Sequence, residues 1–243
     1  MSSSISQAVR ELAEPKLAEF TAKLLPTVDP ARILGVRTPA LRKLSKKLLR
    51  EHPQEASDFI AAVPHDFQEE DLLHVLLLNE ERDFAAWHTA ITSFLPYMTN
   101  WTLTDAVSPA CVKGLPQLER ACLNWVVDDR VYVQRLGVVV LMSLLGTEYF
   151  SPEHLRAVAA LAGSDEYYVR VAVAWYFAEA LARQEHVALP WFALANSSGS
   201  TDSPGLPAVT LRMAITKAIE SRRISDDLKA ELRQIRSTLP RRS

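Results

Sequence analysis

The sequence predicts an all-α protein in which helical repeats stack into an α-solenoid. Glycine is scarce, with 7 residues in 243, and the polar–apolar alternation of a half-buried strand is rare. Short breakers rich in proline, aspartate and serine divide the chain into about a dozen segments of helical length. We therefore expect a single domain over residues 1–243, with its longest loop at residues 197–205 before the C-terminal helices.

Two valine-rich segments resemble strands in composition, but their apolar residues follow the period of a helix. Counted from Val133 and from Val169, apolar residues or glycine fall at offsets 0, 3, 4, 7, 8, 11 and 12 in both segments. That spacing places them on one stripe of a helix. The second copy follows the first after 36 residues. A period near this value is typical of HEAT-type solenoids, and the chain has room for about six such units.

Side chains opposite these stripes are expected on the concave surface of a solenoid. In the valine-rich helices these positions hold Arg135, Tyr167 and Trp175, and in the stretch NWTLTDAVSP they hold Trp101 and Asp105. Trp101 and Asp105 are four residues apart, so a helix presents them on one face. A lone tryptophan fits a core and a lone charge fits a solvated face. Two tryptophans opposite a core stripe favour a binding surface instead.

Lysines occupy the same phase nearer the two ends of the chain. Lys43 and Lys47 lie opposite the stripe that contains Leu41 and Leu48, and Lys217 lies opposite a stripe near the C-terminus. We therefore expect a groove with aromatic residues and one carboxylate near its centre and cations toward its ends.

Bulk composition favours a soluble, intracellular protein without a metal or cofactor. No apolar run is long enough to span a membrane, and the first residues lack the pattern of a signal peptide. We expect a cytoplasmic location. Two cysteines make neither a disulfide framework nor a metal site, and there is no glycine-rich phosphate loop or His-Glu metal helix. The six histidines are scattered along the chain.

The net charge of −2 conceals an uneven distribution. Residues 31–50 hold seven Lys or Arg and no acid, whereas residues 51–83 hold ten Asp or Glu and one Arg. Residues 211–243 hold nine basic and four acidic residues. A chain of this kind can still present a basic face to a phosphate backbone.

Four blocks, in order along most of the chain, carry a resemblance to a known family. They are LLPTVDPARILGVRTPALRKLSKKL, NWTLTD, YVQRLGVVVL and DEYYVRVAVAWYFAEAL. Together they resemble the AlkD-type DNA alkylation repair family, whose members are HEAT-like-repeat alkylpurine DNA glycosylases. The C-terminal AITKAIESRRIS resembles the ending of one branch of this family.

The resemblance implies a role for each of these side chains. Trp101 and Trp175 would form aromatic walls at the lesion, Asp105 would be the catalytic carboxylate, and Arg135 would contact the DNA backbone near it. The implied substrates are N3- and N7-alkylated purines in duplex DNA, removed by a monomer without deep base flipping, metal or cofactor. The remaining residues expected to bind DNA are Lys43, Lys47, Tyr167, Arg170 and Lys217.

The residue types suit this chemistry. A ring-alkylated purine is cationic, so it leaves the sugar without a general acid, and a fixed carboxylate can stabilise the charge that develops on the sugar and orient water. Two alternatives stay open: a non-catalytic DNA-binding protein of the same family, and a HEAT scaffold that binds proteins. The first predicts salt-dependent DNA binding without base release, and the second predicts no such DNA affinity.

Overall fold

The computed structural model describes residues 4–112, 116–195 and 204–240. Helices are the only regular elements in these ranges, apart from one isolated bridge between Leu194 and Leu206. The all-α prediction is therefore confirmed. Of the loop predicted at residues 197–205, only the last two residues lie in the described part of the chain.

The chain divides into two compact units, Met1–Val112 and Lys113–Ser243. The described helices of the first unit are α1 (Ser4–Arg10), α2 (Pro15–Leu24), α3 (Thr38–Glu51), α4 (Pro53–Ala61), α5 (Gln68–Leu78), α6 (Phe84–Phe94) and α7 (Trp101–Ala106). Those of the second are α8 (Pro116–Val126), α9 (Val131–Leu141), α10 (Pro152–Ala159), α11 (Tyr167–Arg183), α12 (Glu185–Ala188), α13 (Ala208–Glu220) and α14 (Asp226–Thr238).

The core of the first unit is organised around α5. All eleven residues of this helix are buried, although it begins with the polar run QEED. It packs against α1, α3, α4, α6 and α7. A helix that is buried all round needs partners for its polar groups as well as apolar neighbours.

Glu69 is the clearest example of such a buried polar group. Its carboxylate accepts hydrogen bonds from the backbone N–H groups of Leu34, Gly35 and Val36, at 2.9, 2.7 and 3.3 Å. Gly35 has a φ of 76°, and a Cβ on it would lie 2.3 Å from the backbone nitrogen of Ala18. Only glycine fits this turn, because both the left-handed conformation and the close approach of α2 exclude a side chain.

In the second unit, helices pack in the order of the sequence. α9 lies between α8 and α11, and α11 in turn packs against α13, which contacts α14. Packing between neighbours along the chain is typical of helical repeats. Both stripes predicted for the valine-rich segments are buried, so their helical interpretation is confirmed. The first runs through α9 into a 3₁₀ turn at Met142–Leu144, and the second lies on α11.

Gly137 allows α8 and α9 to approach closely. A Cβ at this position would lie 2.8 Å from both the carbonyl oxygen of Cys122 and the backbone nitrogen of Val126. Both distances are shorter than a carbon atom tolerates, so the helix pair requires glycine here.

Candidate functional site

Trp101 and Asp105 lie on α7, a helix of six residues. Asn100 precedes it in an extended conformation, and its side-chain oxygen accepts a hydrogen bond from the N–H of Thr102 at 3.0 Å. This is an N-cap, which satisfies one of the free donors at the start of the helix. Six residues are too few for a stable isolated helix, so α7 depends on contacts from its neighbours.

Side chains from α5 and its C-cap hold both ends of α7. At the start, Gln68 accepts a hydrogen bond from Asn100 Nδ2 at 2.8 Å. At the end, Asn79 donates from Nδ2 to the carbonyl oxygen of Ala106 at 2.7 Å and accepts from the N–H of Ser108 at 2.9 Å. The interpretation of the sequence did not include Gln68 or Asn79, because nothing in their spacing relates them to α7.

Trp101 is half-buried and anchored at its edge. Its Nε1–H donates to the carbonyl oxygen of Leu24, the last residue of α2, at 3.2 Å. The ring also packs against a small apolar cluster and lines a cavity of about 370 Å³. The helix phase predicted that Trp101 lies on the side of α7 opposite its apolar stripe. In the structure the ring packs against a small apolar cluster near the end of α2. The cluster consists of Leu25, Val28 and Ile33, with Ala18 and Ala22 beside it.

Asp105 is half-buried one turn after Trp101. The hydroxyl oxygen of Thr104, which is fully buried, lies 3.1 Å from Oδ1 of Asp105 and 3.0 Å from the carbonyl oxygen of Trp101. The single hydroxyl hydrogen can be donated to only one of these two oxygens at a time. The carboxylate lies one helical turn from the tryptophan and part of it remains accessible to solvent, as a group that stabilises charge on a ligand requires.

Trp175 and Lys217 lie together in the second unit. Both are half-buried, and both line a cavity of about 240 Å³ between α11 and α13. The acidic side chains Glu179 and Glu220 line the same cavity. The structure thus brings an aromatic residue and a lysine of the predicted set into contact with one cavity, but it adds two carboxylates.

Two arginines partly neutralise the carboxylate of Glu179. Arg223 donates from Nη1 to Oε2 at 2.8 Å, and Nε of Arg183 lies 3.5 Å from the same oxygen. The spacing of four residues between Glu179 and Arg183 is visible in the sequence. The contact with Arg223 spans 44 residues and has no local signal.

Arg135 differs from the expectation drawn from its helix phase. Its position lies opposite the stripe on α9, yet the residue is 3% exposed. Nη1 donates to the carbonyl oxygen of Tyr168 at 2.7 Å. The start of α11 therefore covers the side chain that the phase placed on an open surface. In this conformation the guanidinium joins two helices.

Tyr167 and Arg170 lie in the first turn of α11. Tyr167 is 53% exposed, and its ring forms a T-shaped contact with the ring of Tyr168 at a centroid distance of 5.3 Å. Arg170 is half-buried and donates from Nη1 to the carbonyl oxygen of Ser164. Of the two, Tyr167 offers the more open surface to a ligand.

Lys43 and Lys47 are exposed on α3, on the side away from the buried Leu41 and Leu48. Their phase is therefore as predicted, and their role in DNA binding stays a prediction. The described part of α3 carries three further exposed cations, so one helix presents a row of positive charge. They are Arg42, Lys46 and Arg50.

The described residues contain no cluster of three or more His, Cys, Asp or Glu side chains that could hold a metal ion. Within the same ranges, no helix has the length and apolar character needed to cross a bilayer.

The sequence matches one family model, described as DNA alkylation repair enzyme, over residues 5–218. A search of curated proteins found no match. The family match extends into both units and includes all the site residues expected from the sequence, whereas Glu220 and Arg223 lie beyond its end. The chain therefore belongs to the family of DNA alkylation repair enzymes.

Proposed function

We propose that this protein is a monofunctional DNA N-glycosylase that removes cationic N3- or N7-alkylated purines from duplex DNA. The observation that carries the proposal is the pairing of Trp101 with Asp105 on α7. An aromatic ring and a carboxylate are held within one helical turn, and both are half-buried. The family match supports a role in DNA repair, and the residue types on α7 suit a cationic leaving group.

In this reaction the alkylated base carries a positive charge and leaves without protonation. Asp105 stabilises the positive charge that develops on the sugar and orients the attacking water. Trp101 offers its ring to the cationic base, an interaction of roughly 0.5–2 kcal/mol. Its anchor on Leu24 keeps the ring in place before DNA arrives, so less entropy is lost on binding.

Contacts with the DNA backbone come from cations outside α7. Lys43 and Lys47 are exposed on α3, and Lys217 lies beside Trp175. Tyr167 adds an exposed ring on α11. These residues bind phosphates and sugars without reading base sequence, which suits an enzyme that searches for damage.

The test is release of methylated purine from duplex DNA by the wild type and by Asp105→Asn. We expect release by the wild type and a loss of about 10²- to 10³-fold in the single-turnover rate of the variant. Asp129→Asn makes the same charge change at an exposed position of the second unit and should leave the rate unchanged. Equal rates for wild type and Asp105→Asn would refute the assignment of Asp105.

A second candidate, a non-catalytic DNA-binding protein, is favoured by the burial of Arg135. A guanidinium that is 3% exposed and bonded to Tyr168 does not offer its fork to a phosphate. This alternative predicts no base release by the folded wild type, together with DNA binding that weakens steeply as salt rises. Absence of both base release and salt-dependent DNA binding would instead favour a scaffold for proteins.

A further inference from the structure

A carboxylate beside Trp175 joins two arginines that are distant from each other in the sequence. Oε2 of Glu179 lies 2.8 Å from Nη1 of Arg223 and 3.5 Å from Nε of Arg183. Arg183 is on the same helix as Glu179, α11, whereas Arg223 lies in the turn between α13 and α14. A partly exposed ion pair contributes little to stability, so its main effect is to fix where the guanidinium of Arg223 lies.

This pairing leaves most of the Arg223 guanidinium available to a ligand. The side chain is 53% exposed, and Nη1 is its only nitrogen with a hydrogen-bond partner among the described residues. Nε and Nη2 therefore keep their donors. The planar fork of a guanidinium matches two oxygens of a phosphate. Because Glu179 already holds one nitrogen, less side-chain freedom is lost when the others bind an anion.

The surroundings of this guanidinium carry a small excess of positive charge. Lys217 lines the same cavity as Trp175 and Glu179, and Arg222, the neighbour of Arg223, is exposed. The side chains that line this cavity or pair with Glu179 include three cations and two carboxylates, namely Arg183, Lys217 and Arg223 against Glu179 and Glu220. Arg222 adds a further cation beside them. The excess favours an anionic ligand.

A contact with the DNA backbone in the second unit needs an arginine other than Arg135, which is buried and bonded to Tyr168. Arg223 meets this requirement, because it is exposed and is held from the helix that carries Trp175. It also lies beyond the end of the family match, so the resemblance assigns it no role.

We propose that Arg223, positioned by Glu179, binds a phosphate of duplex DNA beside Trp175. The inference rests on the DNA binding in the proposed function, and it does not require catalysis by Asp105.

Anisotropy titration of an undamaged fluorescent duplex with the full-length protein, over a range of salt, tests this assignment. Arg223→Gln should weaken binding about threefold to tenfold and reduce the slope of log K against log salt by about 0.9, the value for one phosphate contact. Arg156→Gln is the matched control, because Arg156 is 52% exposed and pairs with Glu153 in the same unit. The control should leave both quantities unchanged.

Glu179→Asp tests the positioning role without changing the charge. The shorter side chain withdraws the carboxylate from Nη1 of Arg223, so binding should weaken about twofold to fivefold. The same substitution in the Arg223→Gln background should have no effect, because the side chain that Glu179 positions is absent. Equal effects of Glu179→Asp in the two backgrounds would overturn the positioning role.

The phosphate contact itself is overturned by an unchanged salt slope in Arg223→Gln, or by an equal decrease in Arg156→Gln. Failure of the proposed glycosylase activity gives a different result, namely intact DNA binding without base release. Where base release occurs, Arg223→Gln should raise the protein concentration that gives the half-maximal single-turnover rate and keep the rate at saturation. A folded wild type without salt-dependent DNA binding would overturn both the inference and the proposed function.

Discussion

Among the described residues, the first unit buries nine polar or charged side chains and the second buries three. The first group is concentrated at the start of α5 and its surroundings, whereas the second unit is dominated by the apolar stripes of α9 and α11. The three in the second unit are Arg135, His154 and Thr210. Both units bury apolar side chains, but the first adds a set of buried polar groups that need specific hydrogen-bond partners, whereas the second has few of them.

The largest expected effect comes from removing the buried carboxylate of the first unit. Glu69→Ala leaves three backbone N–H groups without acceptors, and we expect a loss of about 3–5 kcal/mol in the free energy of unfolding. Glu69→Gln keeps one acceptor oxygen and should cost less. Chemical denaturation followed by circular dichroism measures both.

The matched change in the second unit is Leu136→Ala, at a fully buried position of α9. Loss of apolar contact and the resulting cavity should cost about 2–5 kcal/mol. If Glu69→Ala costs less than about 1 kcal/mol while Leu136→Ala costs several, the contrast between the two units fails.

An intermediate effect should appear in the pH dependence of the first unit. Burial raises the pKa of Asp71 from 3.8 to about 7, and the ion pair with Arg32 opposes this only in part. Between about pH 4 and pH 7 the folded state therefore binds a proton that the unfolded state has lost. The contribution of Asp71 to stability falls as pH rises through this window, by at most about 1.4 kcal/mol per pH unit.

Asp71→Asn isolates this contribution. The free energy of unfolding of the wild type, minus that of the variant, should decrease from pH 4 to pH 7. Titration of His74, whose pKa burial lowers to about 3, is common to both proteins and largely cancels in the difference. A difference that increases with pH would mean that the pair with Arg32 outweighs burial.

The smallest expected effects are at helix N-caps, which should be alike in the two units. Asp83 accepts from the N–H of Ala86 at 2.8 Å, and Ser225 accepts from the N–H of Leu228 at 3.2 Å. Asp83→Ala and Ser225→Ala should each reduce the free energy of unfolding by about 1 kcal/mol. Thermal unfolding of the two variants measures this. A loss above about 2 kcal/mol in only one unit would show that local capping also differs between them.

The same contrast explains how far the sequence predicts the fold. The stripes of the second unit were predictable because helix periodicity is a local property. The burial of QEED at the start of α5 was not, because Glu69 is satisfied by a loop about 35 residues earlier in the chain. A run of acids is normally solvated, and no spacing rule connects these two segments.

Some features of the candidate site were also predictable from the sequence and others were not. The spacing of Trp101 and Asp105, and the exposure of Lys43 and Lys47, follow from helix phase. The support of α7 by Gln68 and Asn79 is non-local, so no pattern in the sequence indicates it. Arg135 shows where helix phase alone does not predict exposure. Its position on α9 lies opposite the buried stripe, but the start of α11 covers it.

Gly137 has a consequence for the sequences that this fold can accept. Any side chain there would force α9 away from α8, and Arg135, two residues earlier on α9, would move with it. Because α9 lies between α8 and α11, this shift would distort the hydrogen bond from Arg135 to the carbonyl oxygen of Tyr168 in the first turn of α11. Gly137 therefore helps to fix the position of the Arg135 side chain, and any substitution at 137 requires α8 and α9 to move apart.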